Sequence, residues 1–286
     1  MHILTFDIEH WYESWRLRGL GGYENLPDCD SSLVERLLDL LDATGQRATF
    51  FFTGSFAREF PATARACAER GHEVASHSDQ HTLLPRFASP RDIKDDLARS
   101  LDSVSQATGQ KVHGFRAPKW SLTPSLEIAV LEMLAELELT YDSSFFFAFR
   151  NAGTRLVTPH AIRLPSGALI REVPATAWWL GPLAVPCGGA YFRLLPLAVT
   201  RRLFAQCRDR GMPGLLYTHP YDLNPACHFV PGGGLLFKWM RTVGVKAAFG
   251  KLERLLKELR FTSMDGWLET HGRDLPEISL PSDGAS

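Results

Sequence analysis

The segment His2-Ile3-Leu4-Thr5-Phe6-Asp7-Ile8-Glu9-His10 decides the reading of the fold. Residues 3–6 form a short apolar run with strand character, and the run leads straight into an acid pair. An open doubly wound sheet usually carries a glycine-rich phosphate loop at that point, and none is present. A barrel instead sets polar residues at the carboxyl ends of several strands. That pattern recurs downstream. Glu73-Val74-Ala75-Ser76 runs into His77 and His81, 112–115 into Arg116, Leu139-Thr140-Tyr141 into Asp142, and 214–218 into His219.

Helical periodicity fills the intervals. Residues 31–43 carry Leu33, Leu37, Leu38 and Leu41 on one face, and 56–70 read as one helix closed by Gly71. Ser89 caps a long helix with Pro90 at its first position, ending at Thr108-Gly109. Residues 48–52 are a further strand, Thr123-Pro124 opens a helix, and 196–210 and 245–259 are helical; 150–190 is irregular, with aromatic and proline-rich loops. Repeated β-then-α units predict a parallel sheet covered by helices and closed into a barrel. Residues 1–275 read as a single catalytic domain and 276–286, rich in Pro, Ser and acids, as a frayed tail.

The 286 residues carry 31 basic and 32 acidic side chains, a net charge of −1, so no global field favours nucleic acid. The N-terminus has neither a basic n-region nor an apolar h-region, and no apolar run is long enough to span a bilayer. The five cysteines at 29, 67, 187, 207 and 227 are scattered and include no C-x-x-C pair. They read as reduced thiols, and with the missing signal peptide they imply a cytoplasmic protein.

Each polar cluster has a bland reading and a chemical one. Asp7 and Glu9, brought toward one opening once the chain leaves the regular pleat, can divide the work of base and metal ligand; otherwise they cap a turn. His77 and His81 share a face if their segment makes a helical turn, and two imidazoles with one carboxylate leave coordination positions open for water and substrate. Arg116 can hold Asp7 in a bidentate pair or merely sit at the surface. His219, ending an apolar strand, suits a general acid or a core histidine bonded to backbone. Trp11, Tyr12, Trp15, Trp178, Trp179 and Tyr191 are candidate sugar-stacking platforms or loop packing.

Together these segments resemble the polysaccharide deacetylase family, carbohydrate esterase family 4. An acid pair, H-[ST]-x-x-H, R-x-P and a late strand ending in His follow one another in the family's order from Leu4 to Trp267. The chain is most similar to the branch with an F-D-x-E start, Tyr141-Asp142-Ser143-Ser144, the G-G-x-Y-F-R-L-L-P stretch at 188–196, and Tyr217-Thr218-His219-Pro220. The resemblance implies a distorted (β/α) barrel of about seven parallel strands. It also implies one divalent metal, zinc first, with iron, cobalt or manganese as alternatives. Asp7 would be the base, Glu9, His77 and His81 the metal ligands, Arg116 the residue orienting the base, and His219 the acid. Trp120, Asp142, Tyr191 and Trp11 would bind substrate, Asp142 alternatively supporting the acid. Ile8 stands where the commoner family pattern has a second, adjacent aspartate, so the ligand carboxylate moves to Glu9.

The implied reaction is removal of an N-acyl group, acetyl first, from a sugar of bacterial surface polysaccharide such as O-antigen. The implied substrate is a lipid- or nucleotide-linked glycan precursor, handled in the cytoplasm or at the periphery of the inner membrane. The competing readings are a deformylase or small-amide hydrolase on the same barrel, and a non-catalytic sugar-binding relative.

Overall fold

The computed structural model describes residues 1–24, 26–146, 158–180, 183–227 and 234–279, with backbone alone for 178–180 and 183–185. Ten strands form the main sheet. In chain order the strands are β1 His2–Ile8, β2 Thr49–Phe52, β3 Glu73–Ser76, β4 Gly114–Phe115, β5 Tyr141–Asp142, β6 His160–Arg163 and β7 Leu169–Glu172. They continue as β8 Ala177–Leu180, β9 Leu183–Pro186, β10 Leu215–Thr218, β11 Phe261–Thr262 and β12 Glu277–Ser279. The sheet order is β10-β1-β2-β3-β4-β5-β7-β6-β12, with β11 beside β1, while β8 and β9 form a separate hairpin. From β10 to β7 every neighbouring pair is parallel. These are the seven parallel strands of the expected distorted barrel.

Strict alternation along β1 sorts its side chains. Leu4, Phe6 and Ile8 join the large core between sheet and helices, while Ile3 packs in the barrel interior. Thr5, Asp7 and then Glu9 continue that inner row. The other strands follow the same rule. Phe50 and Phe52 face the helices and Phe51 the interior; Leu216 faces out, and Leu215 and Tyr217 face in. Met264, Trp267 and Leu268, from the helix Met264–His271, close the amino-terminal end of the interior with apolar contacts. The inner rows thus run from apolar at the bottom to ionisable at the top. No departure from the pleat is needed to bring Asp7 and Glu9 to one side.

Helices cover the outer face. Ser31–Thr44 buries Leu33, Val34, Leu37, Leu38, Leu40 and Leu41, each buried leucine contributing about 1.5–3 kcal/mol. Pro90–Thr108 starts where Ser89 accepts a bond from Asp92 N–H and ends at Gly109 in the left-handed region, as its sequence predicts. The helix expected over 56–70 is instead two, Gly54–Glu59 and Pro61–Glu69. Pro61 has no N–H to continue the first helix and disfavours helical backbone at Phe60.

Closure is irregular. Cys187 N–H donates to Thr176 O, and Tyr217 N–H to Cys187 O, so residues 173–176 and 187–188 carry the ladder between β7 and β10. Gly188 bridges Tyr217 so closely that a Cβ there would lie 2.1 Å from Tyr217 O. The segment read as irregular therefore holds two antiparallel strand pairs, β6 with β7 and β8 with β9, and leads into the short helix Gly189–Leu194.

Two expectations are overturned. Cys29 and Cys227 form a disulfide, while Cys67, Cys187 and Cys207 are free and buried. The bonded pair stands 198 positions apart in sequence, which left no spacing signal for it. Glu277–Ser279, inside the stretch expected as a frayed tail, instead pairs in parallel with β6, and residues 280–286 lie outside the described residues. No helix among the described residues is long and apolar enough to cross a membrane.

Candidate active site

Asp7, Glu9, His77, His81, Trp120, Tyr191 and His219 line one cleft of about 340 Å³ at the carboxyl ends of the strands. Arg116 lies beneath it, fully buried. Its Nη1 donates to Asp7 Oδ1 at 2.6 Å and to Thr5 Oγ1 at 2.9 Å, and Nη2 donates to Ser143 Oγ at 3.0 Å. Its guanidinium stacks 4.2 Å over the Phe51 ring. A buried cation without such partners would be costly, and its partners fix Asp7 in turn.

His77 and His81 meet across an irregular turn, not a helical one; Ser78 and His81 have φ of 67° and 52°. Non-glycine residues hold such angles only where the surroundings impose them. Here Ser100 Oγ donates to Ser78 O at 3.0 Å, and Asp79 N–H donates to Asp96 Oδ2 at 2.9 Å. Arg58 Nη1 donates to Asp79 Oδ1 at 2.6 Å. The backbone of Gly54 passes so near that a Cβ would sit 2.3 Å from Asp79 Oδ1. Lys119 and Trp120 also have positive φ, so four of the five such non-glycine residues among the described residues flank the cleft.

Glu9, His77 and His81 bring one ligand atom each within 4.8 Å of the others. His77 Nδ1 donates to Arg116 O at 2.8 Å, which leaves the Nε2 lone pair facing Glu9 Oε2 at 3.7 Å. His81 Nε2 contacts the same oxygen. Burial lowers the His77 pKa to about 4, so the ring is neutral, as a ligand must be. Glu9 Oε2 is buried and receives no hydrogen bond among the described residues. Burial alone would raise its pKa, but the charge of the adjacent His81, with those of His219 and His77, holds it well below the carboxylate range. Two imidazole nitrogens around an orphaned carboxylate oxygen fit a divalent cation.

His219 approaches from the opposite wall. Its Nε2 is 3.9 Å from both Asp7 Oδ2 and Glu9 Oε1, and its Nδ1 donates to Asp222 Oδ2 at 2.9 Å. Burial opposes the imidazolium. The Asp222 hydrogen bond and the Glu9, Asp222 and Asp7 charges outweigh it and raise the His219 pKa.

Asp222 is the partner that the sequence reading did not identify. A helix-start signal was present: His219 caps Pro220–Leu223, with proline first and an acid at the third position. Arg193 Nε lies 3.1 Å from Asp222 Oδ1. Tyr221 Oη donates to Glu9 Oε1 at 2.7 Å, and its ring stacks on His219 at 4.6 Å. Glu13 Oε2 lies 3.7 Å from His81 Nδ1. None of these four was singled out in the sequence.

Two of the expected substrate contacts are not in the cleft. Asp142 is fully buried and faces away from it, because Tyr141 and Ser143 take the inner positions of β5 and alternation turns Asp142 outward. It accepts from Ser144 Oγ at 2.5 Å, and burial raises its pKa. Trp11 is 1% exposed and packs edge-on against Trp15, which meets Phe237 in the same way. Trp15 is equally buried, and Tyr12 stacks on Tyr23. These rings are core or lie outside the cleft. Trp120 and Tyr191 do border it, Tyr191 being 45% exposed. The side chains of Trp178 and Trp179 lie outside the described residues.

Residues 4–141 match the family model described as Polysaccharide deacetylase, and residues 143–269 match Domain of unknown function (DUF3473). Over 108 residues the chain is 30% identical to the protein YlxY of Bacillus subtilis, covering 37% of this chain and 32% of that one. Over 97 residues it is 28% identical to the peptidoglycan-N-acetylmuramic acid deacetylase PdaA of the same species, covering 34% of each. The chain thus spans about a third of the length of these relatives. A crystal structure of a putative polysaccharide deacetylase from Mycobacterium smegmatis superposes with a TM-score of 0.65 at 20% identity. That match covers 99% of this chain and 94% of that one, and it speaks for the fold. Residues 4–141, a little under half of the chain, are thus similar to the polysaccharide deacetylase family.

Proposed function

We propose that this protein is a metal-dependent hydrolase that removes an N-acyl group, acetyl, from a sugar of a bacterial surface polysaccharide, and that it belongs to the F-D-x-E branch of its family. One observation carries this reading: an arginine-held carboxylate, a cation-ready triad and a carboxylate-backed histidine converge on one cleft. The relative named as an N-acetylmuramic acid deacetylase supports the choice of an amide substrate.

Glu9, His77 and His81 hold the metal in this reading; zinc suits a two-imidazole, one-carboxylate set. A bound divalent cation would polarise the acyl carbonyl and lower the pKa of water. Asp7, oriented by Arg116, removes a proton from the attacking water. His219 carries a proton on Nε2 and delivers it to the departing amine, which leaves poorly without it. Asp222 holds the ring by Nδ1 and favours its charged form. Trp120 and Tyr191 supply aromatic surface for a sugar ring.

The Cys29–Cys227 disulfide favours an oxidising compartment over the cytoplasmic setting that reduced thiols would imply. A lipid-linked or polymeric glycan fits that setting better than a nucleotide-linked one.

The test is mass spectrometry of N-acetylated glycans incubated with metal-loaded protein and with the Asp7→Asn variant. Loss of an acetyl mass with the wild type alone supports the assignment. Loss of a formyl mass would transfer the chemistry to deformylation, and no loss from any N-acylated sugar would leave the cleft as a binding site.

A further inference from the structure

The helix Gly234–Thr242 is amphipathic the wrong way round for a solvent-facing element. Phe237 is buried against Trp15, and the Arg241 guanidinium lies 4.4 Å over the Trp15 ring and 4.0 Å over that of Tyr221. The face turned to solvent holds Leu235, 87% exposed, Leu236, 69%, Trp239, 51%, and Met240, 42%. The helix Gly189–Leu194 adds Tyr191 and Leu194, and Arg193 ties the two elements together by donating to Met240 O at 2.7 Å and Val243 O at 2.8 Å. These six account for most of the large exposed apolar side chains among the described residues. Soluble surfaces rarely gather them in one place.

Charge indicates what covers this face. Acids and bases nearly balance over the whole chain, yet residues 173–208 and 223–252 contain no Asp or Glu. Both segments carry the patch, and its helix and the start of the next contribute Lys238, Arg241 and Lys246. Arg18, stacked 4.3 Å over Phe237, and Lys119 add two more cations along the cleft. Leucines with a tryptophan and a basic surround are the composition of interfacial helices. A protein partner would need a matching acidic and apolar surface, whereas an anionic bilayer offers both at once.

We infer that the face formed by Leu235, Leu236, Trp239 and Leu194 docks on a bilayer containing anionic phospholipid. Met240 and Tyr191 belong to both this surface and the lining of the cleft, which Phe237 and Arg241 of the same helix also line. Docking therefore brings the cleft mouth to the lipid headgroups, where a membrane-anchored glycan would be presented. The docking stands apart from the hydrolase reading; only its use for substrate rests on that reading.

Flotation of the full chain with phosphatidylcholine vesicles, with and without phosphatidylglycerol, is the test. Wild type should float with the anionic vesicles and be released as salt rises, since each cation near an anionic surface contributes about fivefold to binding. The double variant Leu235→Glu with Leu236→Glu should bind about tenfold more weakly or worse, while keeping its thermal midpoint and its rate on a short soluble N-acetylated sugar. Asp7→Asn should float like wild type whatever its activity, which separates docking from catalysis. Equal flotation of wild type and the double variant would overturn the inference. So would a wild-type dimer that these substitutions dissociate, with no flotation, because the face would then pair two copies of this chain.

Discussion

On one wall of the cleft, Asp7, Glu9, His77, His81 and Arg116 hang from the ends of parallel strands whose main-chain ladders set their positions. On the other, His219, Tyr221, Asp222 and Arg193 come from two short helices joined by side-chain bonds. The first wall takes most of its shape from backbone pairing, with side-chain bonds from Ser100, Asp96 and Arg58 fixing only the turn that carries His81. The second depends on particular side chains: His219 on Asp222, Asp222 on Arg193, and Arg193 on the carbonyls of Met240 and Val243. Substitutions on the ladder wall should therefore remove a function cleanly, while those on the linked wall should degrade it by degrees.

The largest effect is expected at Asp7. Asp7→Asn should leave the metal bound and lower turnover by about 10²–10⁴-fold, the usual contribution of a positioned base. Elemental analysis beside steady-state rates checks this. Metal loss in Asp7→Asn would show that Asp7 is itself a ligand, and Glu9 would need another role. His77→Ala and His81→Ala should each lose the metal with the barrel still folded, because strand-end residues are not what holds the ladders.

The next effect is on stability. The Cys29–Cys227 bond pins the chain just before the Ser31–Thr44 helix to the chain just after Asp222. Replacing both cysteines by alanine should cost about 2–4 kcal/mol, read as a lower denaturation midpoint. Alkylation of denatured, non-reduced protein should label only Cys67, Cys187 and Cys207; labelling at all five positions would restore the reduced reading.

A smaller and graded effect is expected at Asp222. Its carboxylate raises the His219 pKa, so the proton donor stays protonated to a higher pH. The rate on an N-acetyl sugar should fall only as pH climbs past the ordinary imidazole range. In Asp222→Asn that limb should move to lower pH, and turnover should drop by about 10–100-fold, as when an outer hydrogen-bond partner is removed. Activity on an activated aryl acetate should suffer less, because a phenoxide leaves without a proton. An unmoved pH limb would detach Asp222 from the acid.

The smallest effect belongs to the aromatic rim. Tyr191→Ala removes a half-exposed ring, so stability should change by no more than about 0.5 kcal/mol. The Michaelis constant for an oligosaccharide should rise, with less change for a monosaccharide. Equal constants for wild type and variant would take Tyr191 out of the binding surface.

The legibility of the two walls differs for the same reason. Asp7, Glu9, His77, His81 and His219 could be read because each follows an apolar run by a fixed offset, and period-two alternation carries a strand-end side chain to a known face. Asp142 followed a strand as well, yet one position of register put it on the far side; Ser143 took the inner place and bonds Arg116. Trp11 looked like a platform because aromatic residues near a site look alike in sequence, whether they face a ligand or a core. Asp222 sits three residues after His219 in a helix-start pattern, which is itself a legible signal of a cap-to-acid contact.

What the sequence determined by itself is local and periodic: the strands, most helices, the caps at Ser89 and Gly109, and the row of ionisable groups at the strand ends. Those features follow from short-range sterics and from the repeat of side chains along a strand or helix. Tertiary structure alone decided the Cys29–Cys227 pairing across 198 residues, the Arg193–Asp222 bond, the burial of Trp11 and the outward turn of Leu235 and Leu236. Each of these depends on which distant segments the folded chain brings together, and no periodicity in one segment encodes the position of another.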